Sequence, residues 1–180
     1  GAAKRIIRSC GGLAVGTGPA KRWYASRFHG PYSRDPMMDR ALGVDTLETA
    51  TTWSNIDRLY NDVRGALFGA MQAASPVRGA RGLVFTHISH SYTDGASLYF
   101  TYIFPRDLND EIGQWKKIKG AASDAIVRAG GTISHHHGVG EDHMPWLEAE
   151  KGSQGMGVLR AVKRELDPAG VLNPGKLVVT

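Results

Sequence analysis

Residues 83–90 and 96–104 are two strand-forming runs separated by a short polar stretch that contains Asp94-Gly95. Asp-Gly between two such runs is a strong local hairpin signal, because both residue types tolerate the backbone angles of a tight reversal. An antiparallel pair set so locally limits what the flanking segments can become. Residues 43–53 alternate, with Val44, Leu47, Thr49 and Thr51 suiting a strand. Ser54 can cap a helix in which Ile56, Leu59, Tyr60, Val63, Leu67 and Met71 recur at three-to-four spacing. Asp107 or Asn109 opens a second helix, carrying Ile112, Trp115, Ile118, Ala122, Ile126 and Val127, and Gly130-Gly131 ends it. Residues 132–135 then read as a last strand.

The resulting order, β-α-β-β-α-β, predicts an α+β fold: a split βαβ, ferredoxin-like antiparallel sheet with its helices on one face. C-terminal helices follow. Pro145-Trp146-Leu147 starts one, and Met156, Leu159, Val162 and Leu166 pattern another, which Asp167-Pro168 closes. Ahead of the sheet, residues 1–8 read as the end of an amphipathic helix with Ile6 and Ile7 among Lys4, Arg5 and Arg8. Residues 10–19 are glycine-rich but meet neither dinucleotide-binding nor Walker spacing, so they read as a short strand and a turn. Residues 20–29 suit a short helix, stopped by Gly30-Pro31-Tyr32. The expected organisation is a connecting segment over 1–42, a ferredoxin-like cap over 43–137 and a helical segment over 138–180.

Composition narrows the class. A 180-residue chain that is 42% hydrophobic can build a sizeable core. Its net charge of +5 favours an anionic substrate or cofactor. No basic run of five or more and no aromatic-interleaved basic stripe points to nucleic acid. The single cysteine, Cys10, excludes an internal disulfide and fits a reducing compartment. No apolar run reaches membrane-spanning length, and the N-terminus lacks the pattern of a signal peptide. The abrupt start without Met reads as a portion of a longer protein.

The chemistry concentrates in Gly130-Gly131-Thr132-Ile133-Ser134-His135-His136-His137-Gly138-Val139-Gly140. Imidazole titrates nearest neutral pH, so adjacent rings suit proton transfer, anion binding or metal ligation. On a strand, His135 and His137 would share one face and His136 the other. The 135/137 pair with His87-x-x-His90 could ligate a metal, but zinc needs three or four converging ligands with an oriented second shell and no cysteine helps, so no metal is expected. Tyr99, on the polar face of its strand with Ser97 and Thr101, can act as general acid or base. Arg34 sits in the proline-pinned Pro31-Tyr32-Ser33-Arg34-Asp35-Pro36 loop, where a held guanidinium suits carboxylate or phosphate. Lys176 follows an Asn-Pro-Gly turn and has solvation as its default.

The segment 131–140, with Asp167-Pro168 and Leu172-Asn173-Pro174-Gly175-Lys176 downstream, resembles the C-terminal region of FAD-linked oxidases of the vanillyl-alcohol oxidase type. The triple histidine is similar to the alkylglycerone-phosphate synthase branch of that family. Arg27-Phe28, Pro31-Tyr32-x-Arg34-Asp35, Asp94-Gly95-Ala96-x-x-Tyr99-Phe100 and Trp146-Leu147 agree with it in order. That branch exchanges the acyl chain of acyl-dihydroxyacetone phosphate for a fatty alcohol, using FAD without net redox change, on the way to ether lipids. The resemblance implies that Tyr99 is the proton donor and acceptor, that Arg34 binds substrate, and that His135, His136 and His137 are needed for activity. It also implies that FAD is bound mainly by an N-terminal domain absent from this chain, toward which residues 138–180 pack, so that the chain alone would be inactive. An FAD-linked oxidase or dehydrogenase of a 2-hydroxy acid or alcohol is the alternative. The ending Val178-Val179-Thr180 lacks the Ser-Lys-Leu address of peroxisomal relatives, so a bacterial cytoplasm is expected. A homodimer and a peripheral membrane contact are both compatible with this reading.

Overall fold

The Asp94-Gly95 reversal forms, and the Tyr92 N–H donates to the Gly95 carbonyl at 2.8 Å. It joins β2 (Leu83–Ser91) to β3 (Gly95–Pro105), while β1 (Leu42–Thr52) pairs along the other edge of β3. The sheet is wholly antiparallel in the order β1-β3-β2. Gly95 serves close approach and not a positive φ: a Cβ there would stand 2.1 Å from the Thr51 carbonyl oxygen. The computed structural model describes residues 1–178. Val179 and Thr180, part of the ending read for a targeting address, lie outside the described residues.

Directly opposed residues of antiparallel strands share a face. Leu47 with Phe100, and Asp45 with Tyr102, face α4 (Ile56–Ala73) and α5 (Glu111–Arg128). Leu59, Val63, Leu67 and Met71 from α4 and Ile118, Ala122 and Ile126 from α5 fill the core between. Each such side chain contributes about 1.5–3 kcal/mol of burial, so the three-to-four repeat on both helices is what holds them to one face. Within this layer Asp45 Oδ2 accepts from Tyr102 Oη and Trp115 Nε1, both at 2.7 Å, and Lys119 Nζ lies 3.5 Å away. Burial pushes the Asp45 carboxyl up, but the Lys119 ammonium and these donors outweigh it and hold the group below its ordinary range. Burial and the Asp45 charge push the Tyr102 phenol up.

Helix ends follow side-chain chemistry, with local differences from expectation. α5 is capped by Asp110, whose carboxylate accepts from the Gly113 N–H at 3.0 Å; Asp107 and Asn109 lie just ahead. At its other end Gly130 takes φ +73°, and the Gly131 and Gly130 N–H groups return to the Ile126 and Val127 carbonyls, a Schellman closure. Ser54 does not cap α4. It lies in a short 3-10 turn, and Asn55 at the helix start sends its amide to the Ala129 carbonyl at 2.7 Å instead. The two C-terminal helices begin five residues earlier than Pro145 and form α6 (Gly140–Leu166), broken where Gly152 leaves helical geometry.

The last predicted strand is not one. Residues 132–135 run beside the free edge of β1 and donate only twice to it, Thr132 N–H to Ala50 and His135 N–H to Glu48. A regular antiparallel ladder would follow Thr132–Ala50 with Ser134–Glu48; His135 takes that place, so one extra residue breaks the register, while the Ile133 N–H points away from β1 to the Glu150 carboxylate of α6 at 2.6 Å.

The chain folds as two compact units, Gly1–Asp39 and Arg40–Thr180. The second holds the sheet together with α4, α5 and α6. The first contains α1 (Ala2–Ser9), α2 (Gly18–Ser26), a 3-10 turn (Gly30–Ser33) and α3 (Arg34–Met38), and none of its residues is buried. Residues 10–19 hold no strand there, because no partner edge faces them within that unit. The proline-pinned segment is helical in place of a loop: Pro31 lies at the start of the 3-10 turn, where its missing N–H costs nothing, and Arg34 begins α3. No helix among the described residues is long and apolar enough to cross a membrane.

Candidate active site

The sheet face turned away from the helices carries the Glu48–Tyr99–His87 row, three cross-strand partners. Glu48 is its hub. The residue is 4% exposed, and its Oε1 accepts from Ser97 Oγ at 2.9 Å while His135 Nδ1 lies at 3.1 Å and His90 Nδ1 at 3.3 Å. Its other oxygen, Oε2, faces His137 Nε2 at 3.3 Å. Burial pushes this carboxyl up, but the donors from Ser97, His135 and His90 prevail and hold it below its ordinary range. It is therefore an anion at neutral pH, surrounded by imidazoles.

Three anchors fix the histidine run. Thr49 Oγ1 donates to the Thr132 carbonyl at 2.7 Å, Glu150 accepts from Thr132 Oγ1 and the Ile133 N–H, and Ile133 is buried. Gly131 admits this approach, since a Cβ would stand 2.6 Å from Thr49 Oγ1. Beyond Ile133 the chain reverses. His136 takes φ +61°, and the His137 N–H donates to the His135 carbonyl at 2.8 Å, a three-residue turn of the strained γ kind. That turn overrides the alternation expected of a strand. His135 and His137 both reach Glu48, and His136 stays with them, stacking on His90 at 4.6 Å between ring centroids and 5° between planes.

Tyr99 meets the run at His137, whose ring stands edge-on to the phenol at 5.6 Å, and stacks on His87 at 5.2 Å. The structure thus gathers Tyr99, His135, His136 and His137 on one side of the sheet. Arg34 belongs to the other unit. Sequence reasoning missed Glu48, the group that organises the cluster, and Tyr92, whose hydroxyl lies 2.9 Å from His135 Nε2. A lone acid within the alternating run 43–53 was the available signal for Glu48. Nothing in the sequence singles out Tyr92 beyond its place at the hairpin.

Among the described residues, ring nitrogens of His90, His135 and His136 lie within 4.8 Å of one another. Both nitrogens of His135 already have partners in Glu48 and Tyr92. With Nδ1 facing a carboxylate, the proton sits there and Nε2 accepts from the Tyr92 hydroxyl. Hydrogen bonds link Tyr92, His135 and Glu48; His137 Nε2 faces the other oxygen of Glu48 at 3.3 Å, and its ring stands edge-on to Tyr99. Such a cluster of imidazoles, phenol and carboxylate can hold and pass protons between neighbouring groups.

The family described as FAD linked oxidases, C-terminal domain, matches residues 6–177. Alkyldihydroxyacetonephosphate synthase of Dictyostelium discoideum is 32% identical over 175 residues, covering 97% of this chain and 28% of that protein. The enzyme of the same name from Trypanosoma brucei brucei is 27% identical over 173 residues, covering 96% and 28%. A solved alkyldihydroxyacetonephosphate synthase structure superposes with a TM-score of 0.59 at 27% identity, covering 91% of this chain and 25% of that one. The chain spans little more than a quarter of the length of these relatives. A match running through both units and the histidine cluster shows that the chain belongs to the C-terminal domain family of the FAD-linked oxidases.

Proposed function

We propose that this chain is the substrate-side portion of an FAD-dependent enzyme that exchanges the acyl chain of acyl-dihydroxyacetone phosphate for a fatty alcohol. The observation that carries the reading is the convergence of Tyr99 and the three histidines around one buried carboxylate, on the open face of the sheet. The similarity to two alkyldihydroxyacetonephosphate synthases over nearly the whole chain supports it.

The residues fit a flavin. Tyr99 and His87 stack at 26°, and Phe85 stands half-exposed two positions from His87 along β2, a flat aromatic surface that a ring system can lie against. Tyr99, His87 and His137 would face it. FAD, when bound, supplies the electron-accepting ring at which the substrate carbon reacts. An N-terminal domain outside this chain would hold its pyrophosphate, since residues 10–19 lack that spacing, and residues 138–180 would pack toward that domain.

In this reading Tyr99 takes and returns the proton next to the substrate carbonyl. His137 orients the phenol, and Glu48 keeps His137 and His135 in place. Acyl departure as a carboxylate is eased by the imidazole N–H groups of the run, with His136 at the exposed tip of its turn. Arg34 is assigned to the substrate phosphate.

The test is product analysis with the flavin-loaded gene product that carries this chain. Palmitoyl-dihydroxyacetone phosphate plus hexadecanol should give the alkyl ether and palmitate in equal amounts, without consuming oxygen. Anaerobic bleaching of the flavin by a 2-hydroxy acid, with no ether formed, would transfer the assignment to an oxidase or dehydrogenase.

A further inference from the structure

The exchange of an acyl ester for an alkyl ether moves two protons of different kinds. One is bonded to carbon beside the substrate carbonyl, where it leaves and is replaced. The other sits on the oxygen of the fatty alcohol and is lost when that oxygen forms the ether bond. Because the departing fatty acid is ionised at neutral pH, this second proton ends in solvent. Tyr99 serves the first proton, and the second needs a base of its own.

The open face of the sheet carries a second phenol–imidazole pair that matches the first. Tyr99 meets His137, and Tyr92 meets His135, its hydroxyl 2.9 Å from Nε2. Both imidazoles hang on one carboxylate: His137 faces Glu48 Oε2 at 3.3 Å, and His135 faces Oε1 at 3.1 Å. In the second pair the order carboxylate, imidazole, hydroxyl is that of a catalytic triad, with a phenol in the place of the serine. Glu48 holds the His135 proton on Nδ1, so Nε2 accepts and the phenol directs its proton there. A phenol that donates in this way keeps acceptor capacity for a second hydroxyl.

Tyr92 reaches this place through a fault in the register of β2. Counted from His87, which opposes Tyr99, strict alternation would give this face Ser89 and Ser91 and would send His90 and Tyr92 toward the helices. One extra residue lies between Ile88, opposite Leu98, and Ser91, opposite Ala96, and it inverts that order. The His90 N–H then donates to Ser97 Oγ at 2.9 Å, while the His90 ring turns to Glu48 and the Tyr92 hydroxyl to His135. Main-chain bonds hold Tyr92 there: its N–H donates to the Gly95 carbonyl at 2.8 Å, and its carbonyl accepts from Trp53 Nε1 at 3.1 Å. A bulge sacrifices ladder bonds, and next to a site its use is to re-aim side chains.

We propose that Tyr92, backed by His135 and Glu48, is the base that takes the hydroxyl proton of the incoming fatty alcohol, an assignment that rests on the exchange reaction proposed above. As the alcohol oxygen bonds to the substrate carbon, its proton passes to the Tyr92 oxygen and the Tyr92 proton passes to His135 Nε2. The imidazolium stands against the Glu48 carboxylate and returns its proton through Tyr92 to solvent before the next turnover. The ester C–O bond breaks with its electron pair on the departing carboxylate, so one alcohol and one ester give one ether, one carboxylate and one free proton. Tyr99 with His137 keeps the carbon-bound proton.

The experiment follows the two protons separately in the flavin-loaded gene product that carries this chain. In deuterium oxide, palmitoyl-dihydroxyacetone phosphate alone should exchange its carbon-bound hydrogen, and added hexadecanol should give the ether. Tyr92→Phe should keep that exchange within about threefold of the parent, which also shows that the variant folds, and should lose ether formation about 100-fold or more. With a hexadecanol fluorinated beside its hydroxyl-bearing carbon, the loss should shrink to about tenfold or less, because a base matters less to a more acidic proton. A residue that only shapes the pocket would cost both alcohols equally. Independently of turnover, ¹⁵N spectra of histidine-labelled protein, with His135→Asn identifying the resonance, should place the His135 proton on Nδ1. Equal loss of exchange and ether, the same loss with both alcohols, ether formation by Tyr92→Phe at the parent's rate, or a His135 proton on Nε2 would overturn the assignment while the parent's ether product upholds the exchange reaction. No ether from the parent would overturn both.

Discussion

His135 Nδ1 stands 3.1 Å from Glu48 Oε1, a contact between residues 87 positions apart in the chain. Glu48 lies in β1 and His135 in the turn beside its free edge, so the pair exists only once the sheet and α5 have closed on each other. The carboxylate fixes which nitrogen of His135 carries the proton, and Tyr92 receives the consequence.

Glu48→Gln keeps the volume and the Ser97 bond but removes the anion. Turnover of the flavin-loaded enzyme should fall about 100-fold, the scale of a misplaced acid–base group, and the pH–rate profile should change shape. A Gln variant with an unchanged profile would reduce Glu48 to a structural residue.

Tyr99→Phe removes one hydroxyl from a ring held by His87 and His137. Turnover should drop about 10²–10⁴-fold while flavin absorbance and thermal midpoint stay at parent values. Activity within threefold of the parent would take Tyr99 out of the chemistry.

Asp45→Ala strips the carboxylate from Lys119, which is 7% exposed and keeps only its bond to the Thr46 carbonyl, and leaves the Trp115 and Tyr102 donors without Asp45. Breaking a buried pair from one side costs about 3–5 kcal/mol, read as a lower urea midpoint at constant slope. Asp45→Asn retains acceptors and should lose less. Equal losses would mean that the lost carboxylate charge, and not the acceptor for Trp115 and Tyr102, carries the effect.

Two glycines separate close approach from chain entropy. Gly131→Ala would set its Cβ 2.6 Å from Thr49 Oγ1 and 2.8 Å from Leu59 Cδ1, destabilising by about 1–3 kcal/mol. At Gly65, in the middle of α4, a Cβ meets nothing within 4 Å, so Gly65→Ala should stabilise by about 0.5–1 kcal/mol. Denaturant midpoints of opposite sign are the expected pair.

Stability should fall in two stages as pH is lowered. Burial, then the nearby Lys119 charge, depress the pKa of His143 below its ordinary 6.5, so its contribution is present above about 6.5 and is lost as pH falls through the lowered folded value. Glu48 and Asp45, also depressed, contribute above about pH 4–4.5 and lose it as pH falls further. His143→Phe should erase the first stage alone in a pH series of urea midpoints.

Much of this structure was legible from periodicity. The hairpin, both long helices and the strand 43–53 lay within three residues of their predicted bounds, because alternation and three-to-four spacing are written locally and a buried face enforces them. The ends were less legible. Ser54 looked like a cap, but Asn55 found the Ala129 carbonyl, a partner 74 residues away that no local pattern announces.

The site divides in the same way. Local residue types determined the imidazole run, the glycines around it and the tyrosine on a polar strand face, since each can be read from its neighbours in the chain. Tertiary structure alone decided that residues 132–135 stop short of a strand, because His135 in place of Ser134 donates to Glu48 and the slip of one residue breaks the ladder. It also decided that His136 turns back beside its neighbours and that Glu48 becomes their common anchor. Those outcomes depend on donors and acceptors brought together from β1, the hairpin and α6, and hydrogen bonds between distant segments leave no period in the sequence.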